Sequence, residues 1–376
     1  MGKIKVGYTK NNYNWRRNIF GVQVRNVEHV RVVDAGGILG KALKKIGLNV
    51  PYAWRLHRSY LSYPQVDLMH LWGVVSLGKI PWVVTTSIGM PMSSLKTESQ
   101  NLIVDALCSS YCRKIIVYNE FVRERQISKI ARLRPGCESI VREKMVELSP
   151  FQEKIVNDYE EKRDYLPDDG CIHLVIVGHL FFQKGGYILL KVVDDMIRWG
   201  YPFKLTIVSR LVINDSWIDG PVDEILQETK SIIVSNENIK WYAELPNHEV
   251  LKLLKSSHVA FLPSQNETFG YFVLEAQACG CPVVTTGINS FPYINSDHCG
   301  WIIKTDCTSG ESPRDGGSSM RECIRDGIRR VLMEIIGNPG IIEEKGVAAL
   351  RRIESEHDPH KFSEALRKIY EQALDI

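Results

Sequence analysis

Short runs rich in Val, Ile and Leu alternate with amphipathic stretches along most of the chain. IKVGY (4–8), VDLMHLW (66–72), PWVVTTS (81–87) and RKIIVYN (113–119) read as strands. A basic stretch, FVRERQISKIARLRPG (121–136), and a loop-like KMVELSP (144–150) come next. The polar run NDYEEKRDYLPDDG (157–170) reads as a linker or helix end, and then the pattern restarts. IHLVIVG (172–178), FKLTIVS (203–209), NIKWYAE (238–244), HVAFLPS (258–264), CPVVTT (281–286) and GWIIK (300–304) form a second set of strands. The polar stretch 305–319 predicts a loop, and PHKFSEALRKIYEQAL (359–374) an amphipathic helix. No repeat of 20–50 residues is visible.

Strands that alternate with amphipathic helices belong to parallel sheets covered on both faces. Two such series predict an α/β chain of two doubly wound, Rossmann-like domains facing a central cleft. The expected boundaries are 1–166 for the first domain, 167–357 for the second, and 358–376 for a helix packing back on the first.

Composition narrows the class. The 376 residues are 44% apolar, ordinary for a globular core. No apolar run reaches bilayer length, and MGKIKVGYTK reads as a strand rather than a signal peptide. Gly2 lacks the downstream Ser or Thr of a myristoylation signal. The nine cysteines are scattered, without metal-ligand spacing, and are expected as free thiols in a cytoplasmic protein.

Charge is unevenly spread. Residues 1–150 hold 23 Lys+Arg against 10 Asp+Glu, and the remainder 24 against 34. A basic first half suggests an anionic partner, such as a lipid surface, a phosphorylated acceptor or nucleic acid, or attraction between the two halves. YNWRRN (13–18) and PYAWRLHRSYLSYP (51–64) mix aromatics with Arg. In FVRERQISKIARLR, Ile127, Ile130 and Leu133 recur at helical spacing, as in either a membrane-surface helix or an ordinary solvated one. No nucleic-acid recognition motif is present, and no nucleic-acid partner is expected.

The chemistry concentrates in SQNETFGYFVLEAQACGCPVVTT (264–286). A buried strand ends at Pro263 and Ser264, and a loop carries Glu267. Gly270 permits a close backbone approach, and a helix runs from about Tyr271 to Cys279. Backbone N–H groups of Gly270, Tyr271, Phe272 and Val273 at that helix start suit a phosphate. Glu275, one turn in, would repel phosphate but accept hydrogen bonds from a ribose diol. Glu267 could reach a second polyol. The competing reading is two solvated surface charges; Ala276, Ala278 and Gly280 favour tight packing instead.

The pattern E-T-F-G-x-x-x-L-E-A-x-A-C-G-x-P-V-V resembles the signature of glycosyltransferase family 4, retaining enzymes of the GT-B fold. VIVGHLFFQKGG (175–186) is similar to the segment opening that family's second domain, and NSFPYINSDHCGWIIK (289–304) to the loop and strand after the signature. The resemblance covers about residues 171–304 well and the first half loosely. It implies that Glu267 contacts the donor sugar and Glu275 the ribose. It also implies that backbone from Thr268 and Phe269 to Val273 binds sugar and diphosphate, and that Lys184 stabilises the diphosphate. An Arg of the family pattern is replaced by His179, which makes that support pH-dependent, and Arg210 could compensate. The family's glycine-rich loop has two candidates, Gly21 and the Gly36/Gly37 pair, the latter also readable as part of a helix. Ser87 stands where the family often has a histidine, and His70 reads equally as core or site.

The implied activity moves a sugar from a nucleoside-diphosphate sugar, UDP- or GDP-linked, to a glycan, lipid-linked or other hydroxyl acceptor. It implies no obligatory cofactor or metal. The acceptor is expected on the basic first domain, with peripheral contact to the cytosolic side of a membrane. Three alternatives stand beside it: a sugar-nucleotide epimerase, a non-catalytic nucleotide-sugar or carbohydrate binding protein, and a nucleic-acid binder using the basic half, which no recognition motif supports.

Overall fold

A computed structural model of the chain describes residues 2–48, 56, 65–87, 95–213, 217–305 and 318–375. The aromatic–arginine stretch 51–64, apart from Leu56, and most of the polar loop 305–319 lie outside them. The chain divides into two compact units, one of residues 1–151 with 357–376 and one of residues 152–356.

The first unit runs β1 (Ile4–Tyr8), α1 (Tyr13–Trp15), a π-helical turn (Arg16–Phe20), β2 (Val27–Arg31), α2 (Ala35–Lys45), β3 (Leu68–Trp72) and β4 (Trp82–Thr86). It continues through α3 (Thr97–Cys108), β5 (Cys112–Val117), α4 (Glu120–Leu133), α5 (Cys137–Lys144) and β6 (Met145–Glu147). Its strands form one parallel sheet in the order β2-β1-β3-β4-β5-β6. Alternate residues face opposite sides, so each strand feeds two cores. Met69, Leu71, Val84, Ile115 and Val117 point to a layer shared with Val104, Leu107, Ile127 and Ile130. Val6, Leu68, Val83 and Ile116 point to the other.

One expectation fails here, and one open pair of readings is decided. KMVELSP is not wholly loop, because Met145–Glu147 is the edge strand β6. The Ile127/Ile130 face of α4 is not a membrane face: both residues are buried in the core, because a parallel sheet needs its helices as cover.

The second unit runs α6 (Tyr159–Tyr165), β7 (Ile172–Val177), α7 (Gly186–Arg198), β8 (Phe203–Val208), α8 (Val222–Ser235), β9 (Ile239–Tyr242) and α9 (Asn247–Lys255). It continues through β10 (Val259–Leu262), α10 (Tyr271–Ala278), β11 (Val283–Thr286), α11 (Phe291–Ile294), β12 (Gly300–Ile303), α12 (Ser318–Gly337) and α13 (Ile341–Glu356). The parallel order is β12-β11-β10-β7-β8-β9, so the winding direction reverses between β7 and β10. Loops at the carboxyl ends of those two strands therefore flank an open crevice, the usual ligand position in such sheets.

Residues 152–166 belong to this unit, with 157–165 ending in α6 rather than forming a free linker. The N–H groups of Ile155 and Val156 donate to the Ala278 carbonyl. Lys162 is fully buried, and its ammonium donates to the carbonyls of Leu254, Lys255 and Ser257, each at 2.7 Å. It thereby caps the carboxyl end of α9, where the helix dipole favours a cation. Burial pulls its pKa below the usual lysine value.

The chain then returns to the first unit as α14 (Pro359–Leu374). Phe362, Leu366, Ile369, Tyr370 and Ala373 line one helix face and enter the core with Val6, Leu68, Val83 and Ile116. The Tyr370 hydroxyl shares hydrogen bonds with His70 Nδ1 (2.8 Å) and His29 Nε2 (3.3 Å), and His70 Nε2 with Thr85 Oγ1 (2.7 Å). His70 is thus core.

Among the described residues seven cysteines are free thiols, but Cys323 is disulfide-bonded, a pairing that spacing along the chain does not reveal. No helix of the described residues is long and apolar enough to cross a membrane.

Candidate functional site

Lys184 and Glu267 are 83 residues apart, yet Lys184 Nζ lies 2.5 Å from Glu267 Oε2. Both side chains are mostly buried. The sheet brings them together, since β7 and β10 are neighbours and each residue sits on the loop after one of them.

Small residues let the loops close. A Cβ on Gly178 would collide with the Lys184 stem, so the lysine lies across the end of β7. Gly185 adopts φ +73°, and a Cβ there would strike the Pro263 carbonyl. A non-glycine residue is strained in that left-handed conformation. Three hydrogen bonds tie the loops: Gln265 N to Gln183 O (2.8 Å), Gln183 Nε2 to Asn266 O (3.0 Å) and Gln265 Nε2 to Phe182 O (3.0 Å). Arg321 of α12 donates to Gln265 Oε1 and forms an ion pair with Asp219.

Glu267 is held from several sides. Its Oε1 accepts from the Thr268 N–H at 3.0 Å, and its carbonyl from Asn289 Nδ2 at 2.7 Å. Asn289 has φ +49°, on the loop after β11. Gln265, Arg321 and Asn289 form a supporting layer that the sequence reading missed. Their partners are distant in the chain, and no local spacing marks them.

Gly270 caps α10 with φ +93°, and Phe291 lies where a Cβ would stand. Phe269 and Val273 are buried, so only their backbone could face a ligand, and the Val273 N–H already donates to the Gly270 carbonyl at 2.9 Å, contrary to the expectation that it is free for a phosphate. Tyr271 and Phe272 are half-buried, and the Phe269 and Tyr271 rings meet edge to face at 5.1 Å. Glu275 is half-buried in the second turn of α10.

His179 and Arg210 each lie two residues beyond a strand, β7 and β8. Arg210 pairs with Glu244, two residues beyond β9. The Arg210 hydrogen bond, with a smaller pull from His179, holds the Glu244 carboxyl below the usual range. Arg210 thus has a carboxylate partner already, and His179 is exposed beside that pair.

The first-unit candidates are placed differently. Gly21 closes the π-helical turn, its N–H donating to Arg16 O at 2.8 Å. Gly36 and Gly37 are in the first turn of α2, not in a loop, because Asp34 starts the helix. Its carboxylate takes the Gly37 N–H at 2.9 Å, so that donor is not offered to a diphosphate. Ser87 is buried at the end of β4.

Residues 158–310 match the family described as glycosyl transferases group 1. The D-inositol 3-phosphate glycosyltransferase of Corynebacterium jeikeium is 25% identical over 206 residues, 54% of this chain and 43% of that protein. The chain thus spans less than half the length of that relative. Among solved structures, sucrose-phosphate synthase from Thermosynechococcus elongatus aligns over 99% of this chain and 89% of its own, with TM-score 0.61 and 15% identity. Anabaena HepE in complex with UDP-glucose aligns over 100% of both chains, with TM-score 0.58 and 11% identity. At such identities the structural likeness concerns the fold.

Proposed function

We infer, from the match of residues 158–310 to the group 1 glycosyl transferases and from a GT-B fold, that this chain transfers a sugar from a nucleoside-diphosphate sugar to a hydroxyl acceptor. The donor binds the second unit at the carboxyl ends of β7 and β10. The transfer retains configuration at the anomeric carbon, and the donor base is uracil or guanine. The observation that carries this reading is the Lys184–Glu267 pair at the reversal point of the sheet, beside the start of α10.

Each residue then has a task. Departure of a nucleoside diphosphate concentrates negative charge on phosphate oxygens. A preorganised cation and a helix N-terminus are suited to receive it. Lys184 is the cation. Glu267 holds it in place, and donor binding would shift the ammonium towards phosphate and free Glu267 for sugar hydroxyls. Backbone from Thr268 to Val273 lies against sugar and diphosphate. Glu275 accepts the ribose hydroxyls. His179 and Arg210 act only if the Glu244 pairing yields to the ligand. The acceptor, a glycan or an anionic or lipid-linked alcohol, binds the basic first unit.

Calorimetry with UDP, GDP, ADP and their sugar conjugates tests the reading on wild type and Glu275→Ala. One nucleotide should bind, and the substitution should weaken it about tenfold, the loss expected for a good hydrogen bond. Equal binding by the variant, or no binding at all, would remove the ribose assignment and favour a non-catalytic binding protein. Turnover of a sugar nucleotide without acceptor and without hydrolysis would favour an epimerase.

A further inference from the structure

The first unit contains a cavity of about 790 Å³ that the donor chemistry does not use. It lies at the carboxyl ends of the neighbouring strands β1 and β2 and along α2. Lys10, Arg31, Lys41 and Lys44 line it, and none of the four makes an ion pair among the described residues. The carboxylate on its wall, Asp34, accepts the Gly37 N–H. Four cations against the single carboxylate of Asp34 leave the concavity with an excess of positive charge, which focuses a positive potential there.

A second observation is independent of charge. Thr9 lines the cavity and is 8% exposed, and its hydroxyl is buried with no hydrogen-bond partner among the described residues. Buried hydroxyls without partners are uncommon, and a ligand oxygen would satisfy this one. Val33 and Ile38, also lining residues, are more than half exposed and offer an apolar wall.

We propose that this cavity binds the phosphate of a phosphorylated acceptor, with Lys10, Arg31, Lys41 and Lys44 as its cationic cradle and Thr9 as a hydrogen-bond partner. The proposal rests on the transferase reading for the word acceptor, but its binding test does not. A phosphate monoester or diester suits the site, since several point charges can share its oxygens. The ester could be soluble or borne on a lipid head group, and the test separates the two.

The full chain would be titrated with glycerol 3-phosphate, with glycerol as control. Flotation with phosphatidylcholine vesicles, with and without phosphatidylinositol, forms the second arm. The Arg31→Gln/Lys41→Gln variant alters exposed side chains only. It should bind the phosphate ester about tenfold or more weakly, with UDP binding unchanged. Binding of glycerol 3-phosphate identifies a soluble ester as sufficient; binding only to phosphatidylinositol vesicles identifies a lipid-borne one. No binding in either arm, or equal binding by the variant, overturns the proposal. A parallel loss of UDP affinity would assign the cations to the donor and overturn it too. If the ester binds but no nucleotide does, the transferase reading falls and the cavity assignment stands.

Discussion

Replacing Lys184 by methionine keeps most of the side-chain volume and removes the charge. Its Nζ lies 2.5 Å from Glu267 Oε2, with side chains 20% and 16% exposed. At an effective dielectric constant of about 20, two unit charges 4 Å apart interact by about 4 kcal/mol. An ammonium that moves onto a leaving phosphate acts at that scale. Glu267 masks part of its field at rest, so the net loss in the transition state should be about 3–4 kcal/mol, or 10²–10³ in kcat. Initial rates of transfer or donor hydrolysis would give kcat and KM separately, with circular dichroism to confirm folding. KM for the donor should change less than kcat, because the stabilised charge develops as the bond breaks. The single variant also leaves Glu267 without its cation, so adding Glu267→Gln should restore part of the lost thermal stability. A kcat within about tenfold of wild type would refute the role given to Lys184.

Three further outcomes follow from packing and charge. Lys162→Met leaves three carbonyls without their donor and should lower the stability of the second unit by about 3 kcal/mol, read as a drop in its urea midpoint. Gly185→Ala should cost about 1–3 kcal/mol, read in thermal melts, and should lower kcat by displacing Lys184 from Glu267. Burial lowers the pKa of His29 to about 4 and that of His70 well below its ordinary value. Both stay neutral when folded, so the first unit should keep full stability above the unfolded histidine pKa of about 6.5 and lose it as pH falls towards 4. The slope from two such groups is at most about 2.7 kcal/mol per pH unit, measurable as a falling Tm between pH 7 and 5; a flat Tm would contradict their burial as neutral groups.

Much of the second unit was legible in the sequence because its strands are buried on both faces and read as continuous apolar runs. IHLVIVG, HVAFLPS and CPVVTT all became strands at nearly the expected residues. The edge strands of the first sheet were not legible. VEHVR in β2 and MVE in β6 are only partly buried, so neither carries a strong apolar signal. The glutamates of the signature were visible because eight positions and one glycine place them on adjoining loop and helix. Gln265, Asn289 and Arg321 were not, because their roles depend on loops from three other parts of the chain. The cavity of the first unit stayed hidden for the same reason: Lys10, Arg31 and Lys41 share a wall only once β1 and β2 pair.

The return of α14 to the first sheet has a consequence for how the protein is made. Phe362, Leu366 and Tyr370 supply one face of a core whose other residues begin at Val6. During synthesis, the strands of the first unit must wait for more than two hundred residues before that face can close. The second unit is continuous in the chain and can fold while they wait. A nascent first unit therefore carries Val6, Leu68, Val83 and Ile116 uncovered, and it is the stage at which this protein most needs protection from aggregation.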